Sequence, residues 1–479
     1  MQRITPGRAH PLHTVAATRA LEGTLAAALP PHTLMQRAGL ATARLALALA
    51  PHAQRYWLAC GPGNNGGDGL VAALHLRQWG KTALVSWLGS VEHAPADARA
   101  SHARAAAAGV QFVDAPPPEC DCVIDALLGI GATRAPEGRM AEWIARINQR
   151  DVPVLAVDLP SGLDADTGQA PGPCVQASHT LSLLTLKPGL YTARGRDHTG
   201  QVWHDDLGAD LASALAQAWL GGAPATSPRR HVTHKGSYGD VAVIGGAAGM
   251  GGAALLAASA ALHQGAGRVF VSLLDGGSLA VDPTQPELML RTPHALNPAE
   301  LTVVAGCGGG LAMGAQLPRL LSTAPRLVLD ADGLNAIAGD TALQQLLRAR
   351  APRGRETVLT PHPLEAARLL GCKAHDVQRD RLQAAQALAG QFGACVVLKG
   401  SGTVIAANDA TPVINPTGNA LLATAGTGDV LAGMIGARLA QGASAFEAAC
   451  AAVWQHGNAA DTWPKDRALT AGALARASS

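Results

Sequence analysis

The sequence is poor in the residues that mark several function classes. Its eight cysteines are scattered over 479 residues, with Cys120 and Cys122 the one close pair. Neither a disulfide framework nor a repeated zinc-ligand spacing emerges, so a reduced, cytoplasmic and metal-poor protein is expected. An alkali cation escapes this test, because it takes oxygen ligands. Phe, Trp and Tyr together make up only 3% of the chain. So few rings do not interleave with basic residues to stack nucleic-acid bases. Charge of one sign is lacking as well: 37 Lys and Arg against 35 Asp and Glu leave a formal +2. No field for capturing a polyanion follows, and no nucleic-acid partner is expected. Long apolar runs are missing too. The Ala-rich stretch at 40–50 is too short to cross a bilayer and is followed by Pro51, so a buried helix and no membrane partner are expected. The N-terminus lacks the continuous apolar segment of a secretory signal.

What is present is apolar bulk and glycine. Apolar residues make up 48% of the chain, charged residues only 15%, and there are 55 glycines. That composition suits close helix-on-sheet packing with Gly-rich ligand loops. The length exceeds what one core usually supports, so two domains are expected. After a helical lead, apolar runs at 55–60, 82–87, 110–113, 122–126 and 152–157 read as strands between helices, one of them over 69–79. This is the rhythm of an open α/β sheet, whose binding residues collect at strand C-terminal ends. LGGAPATSPRR at 220–230 interrupts it and reads as a linker. A second series runs through 241–246, 268–273, 301–306, 326–330, 357–359 and 394–398, and a Gly-rich turn then leads into a helix from Val430. The expected domains are 1–222 and 223–479.

In the first half, GPGNNGGDG at 61–69 follows a strand. Glycines permit positive φ and close ligand approach, and the next helix offers free N–H groups to a phosphate. Asn64, Asn65, Gly66, Gly67 and Asp68 are the candidate contacts, although a purely structural turn fits the same residues. The segment is not the GxGxxG fingerprint, so hydride chemistry does not follow. Asp125 opens DALLGIG at 125–131 and Asp158 opens DLPSGLDADTG at 158–168. Each acid alone could cap a helix. Two acids at strand exits, with Asn65 and Ser161, could also converge on one crevice whose oxygens suit a hard cation.

LMQRAG at 34–39, GPGNNGGDG, DALLGIG and DLPSGLDADTG together resemble the NAD(P)H-hydrate epimerase family over roughly the first 215 residues. The resemblance implies a Rossmann-like three-layer fold and interconversion of the R and S hydrates of NADH and NADPH at nicotinamide C6. It implies Asn65, Asp125 and Ser161 as potassium ligands and Asp158 as the substrate-contacting acid or base. Residues 64–68 and Gly129, Ile130 and Gly131 are implied to meet the substrate. Lys187 in TLKPG is a further polar candidate, with a structural or surface lysine as the alternative. Gln36 stands where many relatives have Glu.

In the second half, HKGSYGDVAVIGGAAGMGG at 234–252 supplies a strand and a Gly-rich turn, and later strands end near DAD at 330–332 and TPHP at 360–363. His362 either satisfies a local hydrogen bond or meets a ligand. KGSGT at 399–403 brings Lys399, Gly400, Ser401, Gly402 and Thr403 near a nucleotide in a spacing that is not a P-loop. AGTGDVLAG at 425–433 places consecutive amides, Gly428 among them, at a helix N-terminus. Phosphate charge is favoured there, and Asp429 in the first turn either caps the helix or accepts a proton from a substrate hydroxyl.

KGSYG, DADGLN, TPHP, VVLKGSGT and GTGDVLAG resemble the ADP-dependent NAD(P)H-hydrate dehydratase family over roughly 231–472. The resemblance implies a ribokinase-like α/β fold, with His362 on the hydrate, Lys399 to Thr403 and Gly428 on ADP, and Asp429 as the catalytic residue at the substrate hydroxyl. ADP would phosphorylate that hydroxyl and elimination would restore NADH or NADPH. Magnesium would assist the phosphates, but no side-chain set fixes its ligands. Leu364, Ala425 and AGCGGG at 305–310 depart from the TPHPGE, GGxGD and GPGLG usual in the family. A homo-oligomer is also implied. The competing expectation is a vitamin or sugar kinase with a regulatory N-terminal nucleotide-binding domain.

Overall fold

The computed structural model describes residues 1–132, 134–211, 214–225 and 231–477. Contacts divide the chain into two units, Met1–Thr5 with His10–Ala218 and Pro6–Ala9 with Trp219–Ser479. The linker expected at 220–230 begins on the last residue of the strand Ala218–Leu220, and its residues 226–230 lie outside the described residues.

In the first unit the strand Arg55–Cys60 lies between Thr82–Trp87 and Cys122–Ala126, all parallel. Val154–Val157, His179–Leu183 and Gln201–Asp205 continue the sheet beyond Cys122–Ala126, and Gln111–Phe112 continues it beyond Thr82–Trp87. Alternation along the central strand sets the layers. Tyr56, Leu58 and Cys60 join a core with Leu45, Leu70 and Leu76, from the helices Thr33–Leu49 and Asn64–Gln78. Trp57 and Ala59 face the opposite core, with Trp143, Ile144 and Ile147 of the helix Gly138–Asn148. The result is the expected three-layer Rossmann-like unit. The chain leaves Arg55–Cys60 in one direction and returns to Cys122–Ala126 on its other side. That reversal opens a crevice at the strand C-terminal ends, where residues 61–69 and 125–131 begin.

In the second unit Asp240–Gly245 pairs in parallel with Arg268–Leu273 on one side and Thr302–Ala305 on the other. Arg326–Leu329, Glu356–Leu359 and Cys395–Leu398 extend the sheet in parallel. Val404–Ala407 and Ala410–Ile414 then return antiparallel. Val241, Val243, Val304, Val328, Val358 and Val397 share one core with the helices Gly251–His263, Thr427–Ala440 and Ala445–Asp461. The intervening Ala242, Ile244, Val303, Leu327 and Leu329 are also buried, so both faces of the sheet are covered. This is the ribokinase-like α/β unit.

Both Gly-rich segments become helix sooner than their sequences suggest. The first helix begins at Asn64, not at 69, and the second at Thr427, not at 430. Gly426, at φ 89°, makes the left-handed turn that lets the second start early. In the first, Gly66 lies inside the helix because a Cβ there would stand 2.0 Å from the carbonyl oxygen of Gly61. The expected strands at 110–113 and 152–157 shorten to Gln111–Phe112 and Val154–Val157. No helix of the described residues is long and apolar enough to cross a membrane.

Candidate active sites

The first unit holds a cavity of about 660 Å³ lined by Asn64, Asn65, Asp68, Gly129, Ile130, Gly131 and Asp158, all expected at a site. Gly66 and Gly67 are buried and are absent from that lining, Gly66 against Gly61 and Gly67 against Met35. Their glycines serve helix packing directly.

Asp158 ends the strand Val154–Val157 at φ 69°, a left-handed conformation uncommon for a residue with a side chain. Its Oδ1 accepts the amide of Leu183 at 3.2 Å and the ammonium of Lys187. Lys187 is wholly buried, lines the cavity, and also donates to the Leu183 carbonyl at 2.7 Å and to Ser182 Oγ at 3.4 Å. Of the roles open to Lys187, the surface lysine is ruled out, and a site residue and a structural lysine both remain. Sequence reading named Asp68 at this space but missed two further carboxylates beside it, Glu22 and Asp97. Asp68 is pushed well above the usual carboxylate range by burial and by the charges of Asp158, Glu22 and Asp97. Glu22 is raised chiefly by burial, with Asp158 next. His32 Nδ1 lies 2.5 Å from Asp97 Oδ1 at the cavity wall. No strand-exit motif marks Glu22, His32 or Asp97, since they come from helices and a helix cap.

Asp125 and Ser161 form a buried pair. The Ser161 hydroxyl donates to Asp125 Oδ1 at 2.6 Å, the Ser161 amide to Oδ2 at 2.8 Å and the Leu127 amide to Oδ1 at 3.2 Å. Burial nevertheless raises the Asp125 carboxyl to about 6, against those hydrogen bonds. Asn65 lies beside Gly129, its Oδ1 3.3 Å from the place a Cβ on Gly129 would occupy. Its amide nitrogen is buried and has no partner among the described residues. Because amide oxygen and nitrogen are assigned from their surroundings, this unsatisfied position equally fits a carbonyl oxygen turned toward a cation. A carboxylate without a counter-charge, a hydroxyl and an amide are an oxygen set that fits a hard monovalent ion.

In the second unit, Asp330 follows the strand Arg326–Leu329 and is 2% exposed. Its Oδ1 accepts from Lys399 Nζ at 2.6 Å and from Thr360 Oγ1 at 2.7 Å. Burial alone would lower Lys399, but the carboxylates of Asp330 and Glu365 outweigh it and raise it. Gly428 borders this ion pair: a Cβ there would lie 3.4 Å from Lys399 Nζ, an ordinary van der Waals contact. Asp429 occupies the first turn of Thr427–Ala440, where amides have no intrahelical acceptor. Burial, then the neighbouring charge of Asp330, raises its carboxyl to about 6. Donor atoms of Cys307, Asp330 and Asp429 all lie within 4.8 Å of one another.

The loop 399–403 is anchored by a residue the sequence did not single out. Arg381 is 1% exposed and donates from Nη2 to the carbonyls of Leu398 at 3.0 Å and Lys399 at 3.1 Å. Gly400, at φ 135°, has Arg381 Nη1 3.0 Å from its missing Cβ. Thr403 Oγ1 donates to the Gly400 carbonyl at 3.0 Å, Ser401 is exposed and Gly402 is buried. His362 caps the helix Pro363–Leu370: its Nδ1 accepts the amides of Leu364 at 3.1 Å and Glu365 at 3.3 Å. Nε2 lies 3.3 Å from Glu365 Oε1, and 47% of the side chain is exposed. The local hydrogen-bonding role of His362 is therefore present, with an exposed flank beside it. Leu364 is also 47% exposed.

Residues 31–189 match the family model described as YjeF-related protein N-terminus, and residues 241–478 match NAD(P)H-hydrate dehydratase. The chain is 38% identical over 460 residues to a bifunctional NAD(P)H-hydrate repair enzyme of Escherichia coli, covering 90% of this chain and 85% of that one. It is 39% identical over 450 residues to one of Coxiella burnetii, covering 90% of each. A solved ADP/ATP-dependent NAD(P)H-hydrate dehydratase of Bacillus subtilis is 30% identical, covering 53% of this chain and 92% of that one, with a TM-score of 0.46.

Proposed function

The chain belongs to the bifunctional NAD(P)H-hydrate repair enzymes, and from that membership we propose how its own residues divide the work. It is an isomerase and a lyase: it epimerises the R and S hydrates of NADH and NADPH, and it dehydrates the S hydrate in an ADP-dependent reaction. The epimerase body is placed at 1–222 and the dehydratase body at 223–479.

Epimerisation belongs to the cavity of the first unit. Carbon C6 carries a hydroxyl and adjoins the ring nitrogen, so its configuration is lost either by departure of that hydroxyl or by ring opening. Both routes need a proton delivered and a proton removed. Asp158 and the buried ammonium of Lys187 form an acceptor and donor pair at one point of the wall. Asn64, Asn65, Gly66, Gly67 and Asp68 belong to the helix start that meets the substrate, with Gly129, Ile130 and Gly131 opposite. Gly66 and Gly67 act there through the backbone shape they permit. Asn65, Asp125 and Ser161 would hold potassium, supported by the unpartnered Asn65 amide and the counter-charge that Asp125 lacks. Bound there, the ion supplies positive charge beside the loop that follows Asp125.

Dehydration belongs to the second unit. Asp429 accepts the proton of the C6 hydroxyl as the terminal phosphoryl group of ADP passes to that oxygen, leaving AMP. Elimination of the phosphate with a proton from C5 then restores the ring double bond. The sum is hydrate plus ADP to NAD(P)H, AMP and phosphate. First-turn amides of Gly428 and Asp429 face developing phosphate charge. Lys399, Gly400, Ser401, Gly402 and Thr403 are assigned to ADP, and the exposed flank of His362 to the hydrate. Magnesium would neutralise phosphate charge, and no residue is assigned to it. The observation that carries this half is the placing of the Asp429 carboxylate in the first turn of a helix, within 4.8 Å of the Asp330 carboxylate that Lys399 holds.

Free cysteines throughout the described residues support a reducing, cytoplasmic setting. Assembly with copies of the same chain rests on family resemblance alone.

The test uses purified chain with mixed R and S NADH hydrate, potassium, magnesium and ADP. NADH absorbance should recover beyond the fraction already present as S hydrate, with stoichiometric AMP and phosphate. Omitting potassium should confine recovery to that fraction. Recovery without ADP consumption, or stable phosphorylation of an unrelated sugar, would overturn the assignment.

A further inference from the structure

Asp429 lacks the partners that hold the other carboxylates of its site. Asp330 is tied to Lys399 and Thr360, and Asp332 Oδ2 accepts the Gly310 amide at 2.8 Å. Facing Asp429 are the Asp330 carboxylate, which repels it, and the Lys399 ammonium, already bonded to Asp330 and also under the field of Glu365. Asp332 adds a second like charge. His456, on the helix Ala445–Asp461, is held at about 4 by burial and directs Nε2 to the Thr427 carbonyl at 2.9 Å. The remaining neighbour is Cys307, wholly buried in the turn after Thr302–Ala305, with its Sγ within 4.8 Å of a carboxylate oxygen of Asp429. Gly306, at φ 118°, and Gly308, at φ 58°, bracket it and fix the path of that turn. The Cys307 carbonyl also accepts the Gly246 amide at 2.9 Å, which fixes the residue against the next strand exit.

We propose that Cys307 is a positioning residue for the dehydratase: its thiol donates a hydrogen bond to the Asp429 carboxylate and holds it ionised beside the Asp330 charge. The inference rests on the reading of Asp429 as the proton acceptor. Burial first, then the charges of Asp330 and Asp429, keeps the thiol well above its ordinary range, so it remains a donor at neutral pH. A hydrogen bond to the charged form of a carboxylate favours that form. The thiol therefore opposes the burial and the like charges that drive Asp429 toward protonation.

The experiment follows kcat/KM for S-hydrate dehydration against pH in the full chain, for the native protein, Cys307→Ala, Cys307→Ser and Asp429→Asn. Cys307→Ala should move the acid limb upward by ~0.5–1 pH unit. The rate on the alkaline plateau should stay within about twofold, because Asp429 is ionised there in both proteins. Cys307→Ser, which keeps a donor, should restore most of the native limb. A uniform fall at every pH, or an unmoved limb, would overturn the role of Cys307. Should neither replacement fold, infrared S–H stretching of the native chain decides: one thiol band should shift as Asp429 is protonated and stay fixed in Asp429→Asn. Thiol bands indifferent to that titration overturn the proposal. The two readings fail separately. Normal dehydration by Asp429→Asn removes the premise, whereas an inactive Asp429→Asn with an unmoved limb in Cys307→Ala removes only the thiol.

Discussion

Lys187 and Asp158 lie 29 residues apart, yet the lysine is wholly buried with its ammonium on the aspartate. A buried charge is tolerated only when paired, so each of the two requires the other. Replacing Lys187 by Met should slow epimerisation by ~10²-fold or more while S-hydrate dehydration keeps its native rate. Separate assays of epimer interconversion and ADP-dependent NADH recovery check this, and an equal loss in both would refute it. At this scale sequence shows chemistry better than partnership. Asp125, Asp158 and Asp429 are legible because each stands where an apolar run meets a loop. Lys187 stands in a comparable place and stayed ambiguous. Its direction is set by the strand His179–Leu183, whose Ser182 and Leu183 receive it, and such placement has no local signature. Arg381 is harder still: it opens the helix Arg381–Phe392 and acts on the carbonyls of Leu398 and Lys399, seventeen and eighteen residues on.

Among the elements, the Gly-rich segments carry the most instructive difference between expectation and structure. Glycine density in 61–69 reads as a ligand loop, because both a loop and a tightly packed helix start call for residues without side chains. The helix Asn64–Gln78 begins within it, and Gly66 is needed where the chain doubles back on Gly61. Gly66→Ala should destabilise the first unit by about 2–4 kcal/mol, since its methyl would meet backbone that cannot move aside. Thermal unfolding would register this as a lowered first transition, and a change within error would mean the turn has slack. Periodicity did locate the strands, and Arg268–Leu273 agrees to the residue. The strands expected at 110–113 and 152–157 are shorter at their ends: Val110 is buried but gives its amide to the Ala105 carbonyl, outside the ladder, while Val113 and Val152 are half-buried and Pro153 is exposed.

For the whole molecule, each constellation is complete within its own unit. Asp125, Asp158 and Lys187 belong to the first, and Cys307, Asp330, Lys399 and Asp429 to the second. Two damaged proteins should therefore complement each other. Asp158→Asn should repair only the S hydrate and Asp429→Asn should repair neither, while a mixture should restore repair of both through hydrate released into solution. Failure of the mixture, with each protein folded, would mean that hydrate does not exchange between molecules.

The same division of contacts does not follow the order of the chain. Pro6–Ala9 belongs with the second unit although it lies within the sequence of the first, and its Pro6 carbonyl accepts the indole N–H of Trp454 at 2.9 Å. One cut in the gene between the codons for Ala218 and Trp219 would strand those four residues with the wrong product. Trading either catalytic body between proteins as a single contiguous cassette would leave the dehydratase missing a stitch, so an engineer must graft two separate stretches of coding sequence.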